Sequence, residues 1–141
     1  MKVLFIGCWR DGTGYGNASK DWILALDSAG IDVVPRALKL NNIDAEVPER
    51  ILELESQNEK GCDICIQCLL PHHMEYNGRF KKNIGTFFTE TNHIRNTSWV
   101  SSLNNMDEIW VPCKIQKQTL LNSFVKTPIQ VIPCPTDTSI F

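Results

Sequence analysis

The apolar residues of this chain fall in short unbroken runs, and that pattern restricts the fold more than any other feature. The runs are VLFI at 3–6, IDVV at 31–34, CDICIQCL at 62–69, NIGTFF at 83–88, EIWV at 108–111 and IQVI at 129–132. A strand with one wet face alternates apolar and polar residues, whereas a strand buried on both faces reads as a nearly continuous apolar run. We therefore assign strands at Lys2–Ile6, Ile31–Val34, Cys62–Leu69, Asn83–Phe88, Glu108–Val111 and Ile129–Ile132. Helical periodicity fills most of the gaps. Ala18, Trp22, Ala25, Leu26 and Ala29 share one stripe, with Asn17 as the expected cap and Gly30 as the stop. Pro48 opens a second helix over 48–59, carrying Ile51, Leu52 and Leu54. Trp99, Leu103 and Met106 mark a third at Ser98–Asn104, and Ile115–Phe124 reads as a fourth. Strands alternating with helices predict an α/β fold, a doubly wound and mostly parallel sheet of about six strands. A length of 141 residues fits one domain, and only the tail around Pro133 and Pro135 reads as a linker.

Composition removes several function classes. The formal net charge is −2, so the basic face of a nucleic-acid binder is not expected. No stretch reaches the roughly 18 apolar residues of a membrane span. The opening MKVLFIGC resembles a lipoprotein signal only briefly, because Arg10 and Asp11 interrupt it. A cytoplasmic location is the expectation, with the six cysteines as reduced thiols. Cys62, Cys65 and Cys68 suggest metal ligands by spacing. On a strand rising about 3.3 Å per residue, however, the outer two lie roughly 20 Å apart and the middle one points to the other face. No metal site is expected there.

In a doubly wound sheet a ligand sits beyond the carboxyl ends of the strands, where the strand order reverses. With the order 3-2-1-4-5-6, the flanking loops are those after strands one and four. The first is GCWRDGTGYGNASKDW, which places Gly12, Gly14 and Gly16 at alternate positions around Thr13 and Tyr15. It lacks the G-x-G-x-x-G spacing of a dinucleotide loop and the Gly-Lys-Ser/Thr of a Walker loop. Glycines admit a close ligand, and the helix behind them offers free N–H groups to an anion. A plain mobile turn is the alternative. Trp9 in this loop is a candidate ligand-stacking ring, whereas Trp22, Trp99 and Trp110 read as core. The loop after strand four, TETNHIRNT, supplies Glu90, Thr91, Asn92 and His93. Glu90 and His93 are the candidate acid or base groups. His72 and His73 follow strand three on the same rim, as candidate sugar or phosphate contacts.

The order of motifs in the second half resembles the N-terminal domain of the GT-B glycosyltransferases of family 4. The matching residues are Glu90, Thr91, Trp99, Val100, Asn104, Asp107 to Pro112, Pro128 to Pro133, Asp137 and Phe141. The segment Met1 to Val34 is similar to the same family's first strand, glycine-rich loop and helix. Cys113 stands where serine is usual, and Pro135 where the linker usually has glycine. The resemblance implies a Rossmann-like domain on the acceptor side of a two-domain enzyme. Such an enzyme transfers a sugar from a nucleotide-sugar to a sugar or other hydroxyl acceptor, with no obligatory metal. The family pattern continues past Phe141 into a donor-binding domain, so these residues would hold only half of the apparatus. No cofactor is expected on this half, and its partners would be a donor-binding domain or a second copy. Two other readings compete: a small nucleotide- or phosphate-binding module, and a non-catalytic interaction domain.

Overall fold

The computed structural model describes residues 1–141. β1 (Lys2–Gly7), β2 (Asp32–Ala37), β3 (Ile64–Cys68), β4 (Lys82–Thr86), β5 (Glu108–Val111) and β6 (Ile129–Val131) form one all-parallel sheet in the order β2-β1-β3-β4-β5-β6. Four helices flank it: α1 (Gly14–Ser28), α2 (Glu49–Glu55), α3 (Ser98–Asn104) and α4 (Lys114–Asn122). None is long and apolar enough to cross a membrane.

The unbroken apolar runs have the predicted cause. Val3 and Phe5 of β1 pack with Ile66 of β3 against Trp22 and Ile23 of α1 and Ile51 and Leu54 of α2. On the opposite face, Ile109, Val111 and Ile129 pack against Leu103 of α3 and Leu120 of α4. Both sheet faces are thus buried across most of the width, and the strands have no wet face to alternate toward. Cys68 packs on the α1 face and Cys65 on the other, as strand alternation requires.

One expectation is corrected. The order is 2-1-3-4-5-6, not 3-2-1-4-5-6, because β3 joins the free edge of β1 instead of extending past β2. The point where the order reverses therefore lies between β1 and β3. The loop after β1 leads to α1 on one face. The segment after β3 lies across the other face, where Phe80 packs on Leu4 and Cys65. That segment is sewn down by two buried amides. Gln67 exchanges both ends of its side chain with the backbone of Glu75, at 2.6 and 2.9 Å. Asn83 does the same with Asn77, at 3.0 and 3.1 Å.

The start of α1 also differs. Thr13, not Asn17, is the cap; its Oγ1 accepts from the Gly16 N–H at 3.0 Å, and the Asn17 N–H already bonds the Thr13 carbonyl. Thr13 is extended, as a cap must be, so the helix begins four residues earlier than the apolar stripe suggests. Gly30, at φ +80, ends the chain's turn out of α1 as expected. α2 is shorter than the 48–59 expectation, whereas α3 and β5 have the expected bounds.

Candidate functional site

The loops at the carboxyl edge build a pocket of about 490 Å³ between the start of α1 and the loop after β4. Tyr15, Phe88, Ile94 and Trp99 supply its apolar walls, and Glu90 and His93 stand at its rim. Tyr15 fixes one wall to the other. Its hydroxyl accepts from the Phe88 N–H at 2.9 Å and donates to the Phe88 carbonyl at 3.2 Å, and the two rings meet edge to face at 5.2 Å. Burial pushes the Tyr15 phenol up to about 12, so it keeps its proton through the neutral range.

The loop that carries Glu90 and His93 is held from below by α4. Gln116 Nε2 donates to the Phe87 carbonyl at 2.7 Å. Thr119 Oγ1 donates to the Thr91 carbonyl at 3.2 Å, and the Ile94 N–H donates to Ser123 Oγ at 2.8 Å. These three polar side chains are buried, so each bond forms away from competing water. Thr91 is used within the loop, its hydroxyl contacting Thr89 Oγ1 at 3.0 Å and donating to the His93 carbonyl at 2.9 Å. Neither the Glu90 carboxylate nor the His93 imidazole makes a hydrogen bond to the protein, and both are exposed. Two proton-transfer groups are thus free at the mouth of an apolar pocket, which suits removing a proton from a bound hydroxyl. Asn92 is exposed nearby and lines no pocket.

The three glycines have different jobs. A Cβ on Gly16 would lie 2.1 Å from the Asp11 carbonyl oxygen, so this glycine lets α1 dock on its own loop. A Cβ on Gly12 would meet the Ile43 side chain at 2.9 Å. Only Gly14 faces open space, with nothing within 4 Å. The amides of Thr13, Gly14 and Tyr15 donate to no protein group, as expected at a helix start. Arg10 beside them pairs with Glu55 at 2.5 Å, whereas Lys20 on α1 donates only to the Glu46 carbonyl at 3.2 Å and has no carboxylate partner. Trp9 is not a rim residue. It is fully buried beside Trp22, with the Arg10 guanidinium over its ring at 4.6 Å, because the loop folds back instead of projecting.

Asp11 is also fully buried, a residue that sequence reasoning passed over. Its Oδ2 accepts from the Leu40 N–H at 3.0 Å and ties down the loop after β2, while Oδ1 has no partner.

His72 and His73 lie away from the glycine loop, in a second concavity of about 580 Å³ on the sheet face. Trp99 Nε1–H donates to His72 Nδ1 at 3.0 Å, with the two rings 11° from coplanar. That bond assigns the His72 proton to Nε2. Trp99 is half-buried and lines the first pocket, so the expectation that it is core is only partly correct. Its position at the first turn of α3, after the Thr97 cap, was the available sign that it sits at the carboxyl edge.

The six cysteines are free. Burial pushes the Cys8 thiol up to about 11 and those of Cys65 and Cys68 up to about 12, which makes them poor nucleophiles. No family model and no curated protein matches the chain.

Proposed function

We propose that the chain is the acceptor-side, N-terminal domain of a GT-B glycosyltransferase that uses a nucleotide-sugar donor. The observation that carries the reading is the pairing of unpartnered Glu90 and His93 at the mouth of one pocket with the ordered motifs in which Glu90 lies. An all-parallel sheet with that pocket at its carboxyl edge suits the reading. In the proposed reaction an acceptor hydroxyl lies in the pocket. Its oxygen forms the new bond to the anomeric carbon while the bond from that carbon to the diphosphate oxygen breaks. His93, with Glu90 beside it in the loop, is the group offered for the hydroxyl proton when the outcome is inversion. The free amides of Thr13, Gly14 and Tyr15 face the developing charge on the diphosphate. Three neutral amides stabilise that charge only weakly on this half, and in this reading a donor-binding domain supplies the rest.

The test is a nucleotide-release assay with a panel of nucleotide-sugars. The 141-residue chain alone is expected to be inactive, and turnover of about 1 per second or more by it would overturn the half-enzyme reading. A second reading, a stand-alone nucleotide- or phosphate-binding module, is favoured only by the three free amides. Submicromolar binding of a free nucleotide to the isolated chain would support it instead, since an exposed helix start alone contributes only about 0.3–1 kcal/mol.

A further inference from the structure

The second concavity lies on the sheet face beside the segment that joins β3 to β4. Its floor is nearly closed to solvent. Leu4, Cys65, Gln67 and Leu69 are each at most 3% exposed, so an occupant would touch the walls. The 72–79 stretch builds the outer wall from exposed His72, His73, Glu75, Tyr76, Asn77 and Arg79. Most of their polar ends have no partner in the protein. His72 accepts at Nδ1 from Trp99 and keeps its Nε2–H to donate. Asn77 Oδ1 accepts from the Arg79 N–H at 3.1 Å, which leaves the amide NH₂ of Asn77 spare. The side chains of His73, Glu75 and Tyr76 make no hydrogen bond or ion pair, and Gln67 bonds only the backbone of Glu75. Polar side chains on a mobile surface loop are ordinarily just solvated. This backbone is instead fastened down, by Phe80 packed on Leu4 and Cys65 and by the buried amides of Gln67 and Asn83. A fastened backbone presents its spare donors and acceptors in one arrangement, which solvation does not require and ligand binding does.

We propose that this concavity is a saccharide subsite, which takes the further sugar rings of a neutral oligosaccharide acceptor whose terminal hydroxyl lies beside Glu90 and His93. The proposal rests on the acceptor reading given above. The chemistry of the wall selects the class. Tyr76, 53% exposed, offers an aromatic ring to the C–H surface of a sugar. The unpaired Glu75 carboxylate accepts from two neighbouring hydroxyls, and such charge-assisted bonds are stronger than neutral ones. His72, His73 and Asn77 supply donors and acceptors for the hydroxyls that remain. The lining carries one carboxylate, Glu75, and one guanidinium, that of Arg79, which already pairs with Glu59 at 3.1 Å. An anionic sugar would meet the free carboxylate. A metal ion would find no group of three ligating side chains. The two cavities adjoin: His72 lines the concavity, Trp99 lines the pocket, and the 3.0 Å bond from Trp99 Nε1–H to His72 Nδ1 joins them, so neighbouring rings of one chain occupy both.

The probes are maltotriose, cellotriose and mannotriose, each compared with the methyl glycoside of its own sugar, titrated into the isotopically labelled full chain. One of the trisaccharides is expected to bind at least about tenfold tighter than its methyl glycoside, because it adds an aromatic contact and charge-assisted hydrogen bonds. Its resonance shifts should include both Glu90 and His93 and the wall residues Glu75, Tyr76 and Asn77. Tyr76→Ala and Glu75→Gln, both at exposed positions, are expected to remove that advantage while leaving methyl glycoside binding and Tm unchanged. Trigalacturonate, an anionic chain of the same length, is expected to show no such advantage, and tight binding of it would overturn the neutral class. Equal affinity of every trisaccharide and its methyl glycoside, or an advantage that survives both substitutions, overturns the subsite. Trisaccharide shifts at Glu90 and His93 alone overturn it while leaving the acceptor reading intact, and shifts in the 72–79 wall alone overturn its link to the pocket. Shifts from no probe overturn it too, and the acceptor reading is then judged separately by nucleotide release.

Discussion

Gly14 and Gly16 stand two residues apart, and the structure predicts opposite consequences for the same substitution. Replacing a helical glycine by alanine ordinarily gains roughly 0.5–1 kcal/mol, because glycine loses more backbone freedom on folding. At Gly14 nothing opposes that gain: it is the first residue of α1, and a Cβ there has no neighbour within 4 Å. At Gly16 the new Cβ would sit 2.1 Å from the Asp11 carbonyl oxygen and 3.0 Å from that of Cys8. Both are backbone atoms, so no rotamer change relieves the overlap. α1 must move off the loop, an overpacking cost of about 1–3 kcal/mol. The move also stretches the bond from the Gly16 N–H to Thr13 Oγ1, a cap of about 1 kcal/mol. Against the propensity gain, Gly16→Ala should lose about 2 kcal/mol, or roughly 8 °C of Tm at about 4 °C per kcal/mol. Gly14→Ala should melt about 2–4 °C above the parent protein. Thermal and urea unfolding of both variants is the assay. A Gly16→Ala protein as stable as the parent would refute the close approach of α1 to its loop. An equal loss at Gly14 would make the loop a uniform folding element and remove the reason to see a ligand there. Under the proposed glycosyltransferase reading, Gly14→Val placed in a two-domain protein should lower turnover with little change in Tm, because it fills the one open position of the three.

Tyr15→Phe should cost about 1–3 kcal/mol in urea unfolding, because the Phe88 N–H and carbonyl both lose the phenol. Faster hydrogen exchange at the Phe88 amide should accompany it, and an unchanged exchange rate would count against the latch. Stability should fall as the pH rises above about 9. The buried thiols of Cys65 and Cys68 ionise near 12 in the fold, above their usual value near 9, so the unfolded chain releases these protons first. The slope should approach about 1.4 kcal/mol per pH unit for each such thiol, and a urea midpoint unchanged from pH 8 to 10.5 would contradict it. Denatured protein, purified anaerobically, should titrate six thiols and carry no stoichiometric zinc or iron by elemental analysis; a full metal equivalent would overturn our reading of the cysteine run.

Much of the fold was legible because buried strands leave a composition signature that does not depend on topology. The EIWV run became β5 with the expected bounds, the CDICIQCL run became the shorter β3 (Ile64–Cys68), and helices pack on both faces of the sheet. Strand order was not legible. Whether β3 extends past β2 or crosses to the free edge of β1 is decided by packing between distant segments, and neither outcome changes the local pattern of β3. The error moved the reversal point from β1/β4 to β1/β3, which is why His72 and His73 belong to a groove on the sheet face and not to the glycine loop. Within that loop the alternating glycines looked equivalent. Their roles separate only when the distance to Asp11 is known, and Trp9 looked available only because its burial depends on α1 folding back over it.

The least legible part of the site is its support. Gln116, Thr119 and Ser123 lie in or just beyond α4, and polar side chains in a helical segment ordinarily mark its wet face. Here they mark the inner one, all three being buried, while Ile115, Leu121 and Phe124 are exposed. Leu120 still faces the sheet, but these polar side chains are buried beside it because the loop after β4 ends in irregular backbone whose carbonyls and amides have no strand to pair with. Phe87 and Thr91 must place their carbonyls, and Ile94 its N–H, somewhere away from water, and α4 supplies the partners. An apolar α4 would pack equally well on β5 and β6 but would leave those groups orphaned, at about 1–3 kcal/mol each. The buried Gln116, Thr119 and Ser123 therefore serve the loop and not the sheet. They hold the backbone under Glu90 and His93 in one conformation, which is the property a site needs before any ligand arrives.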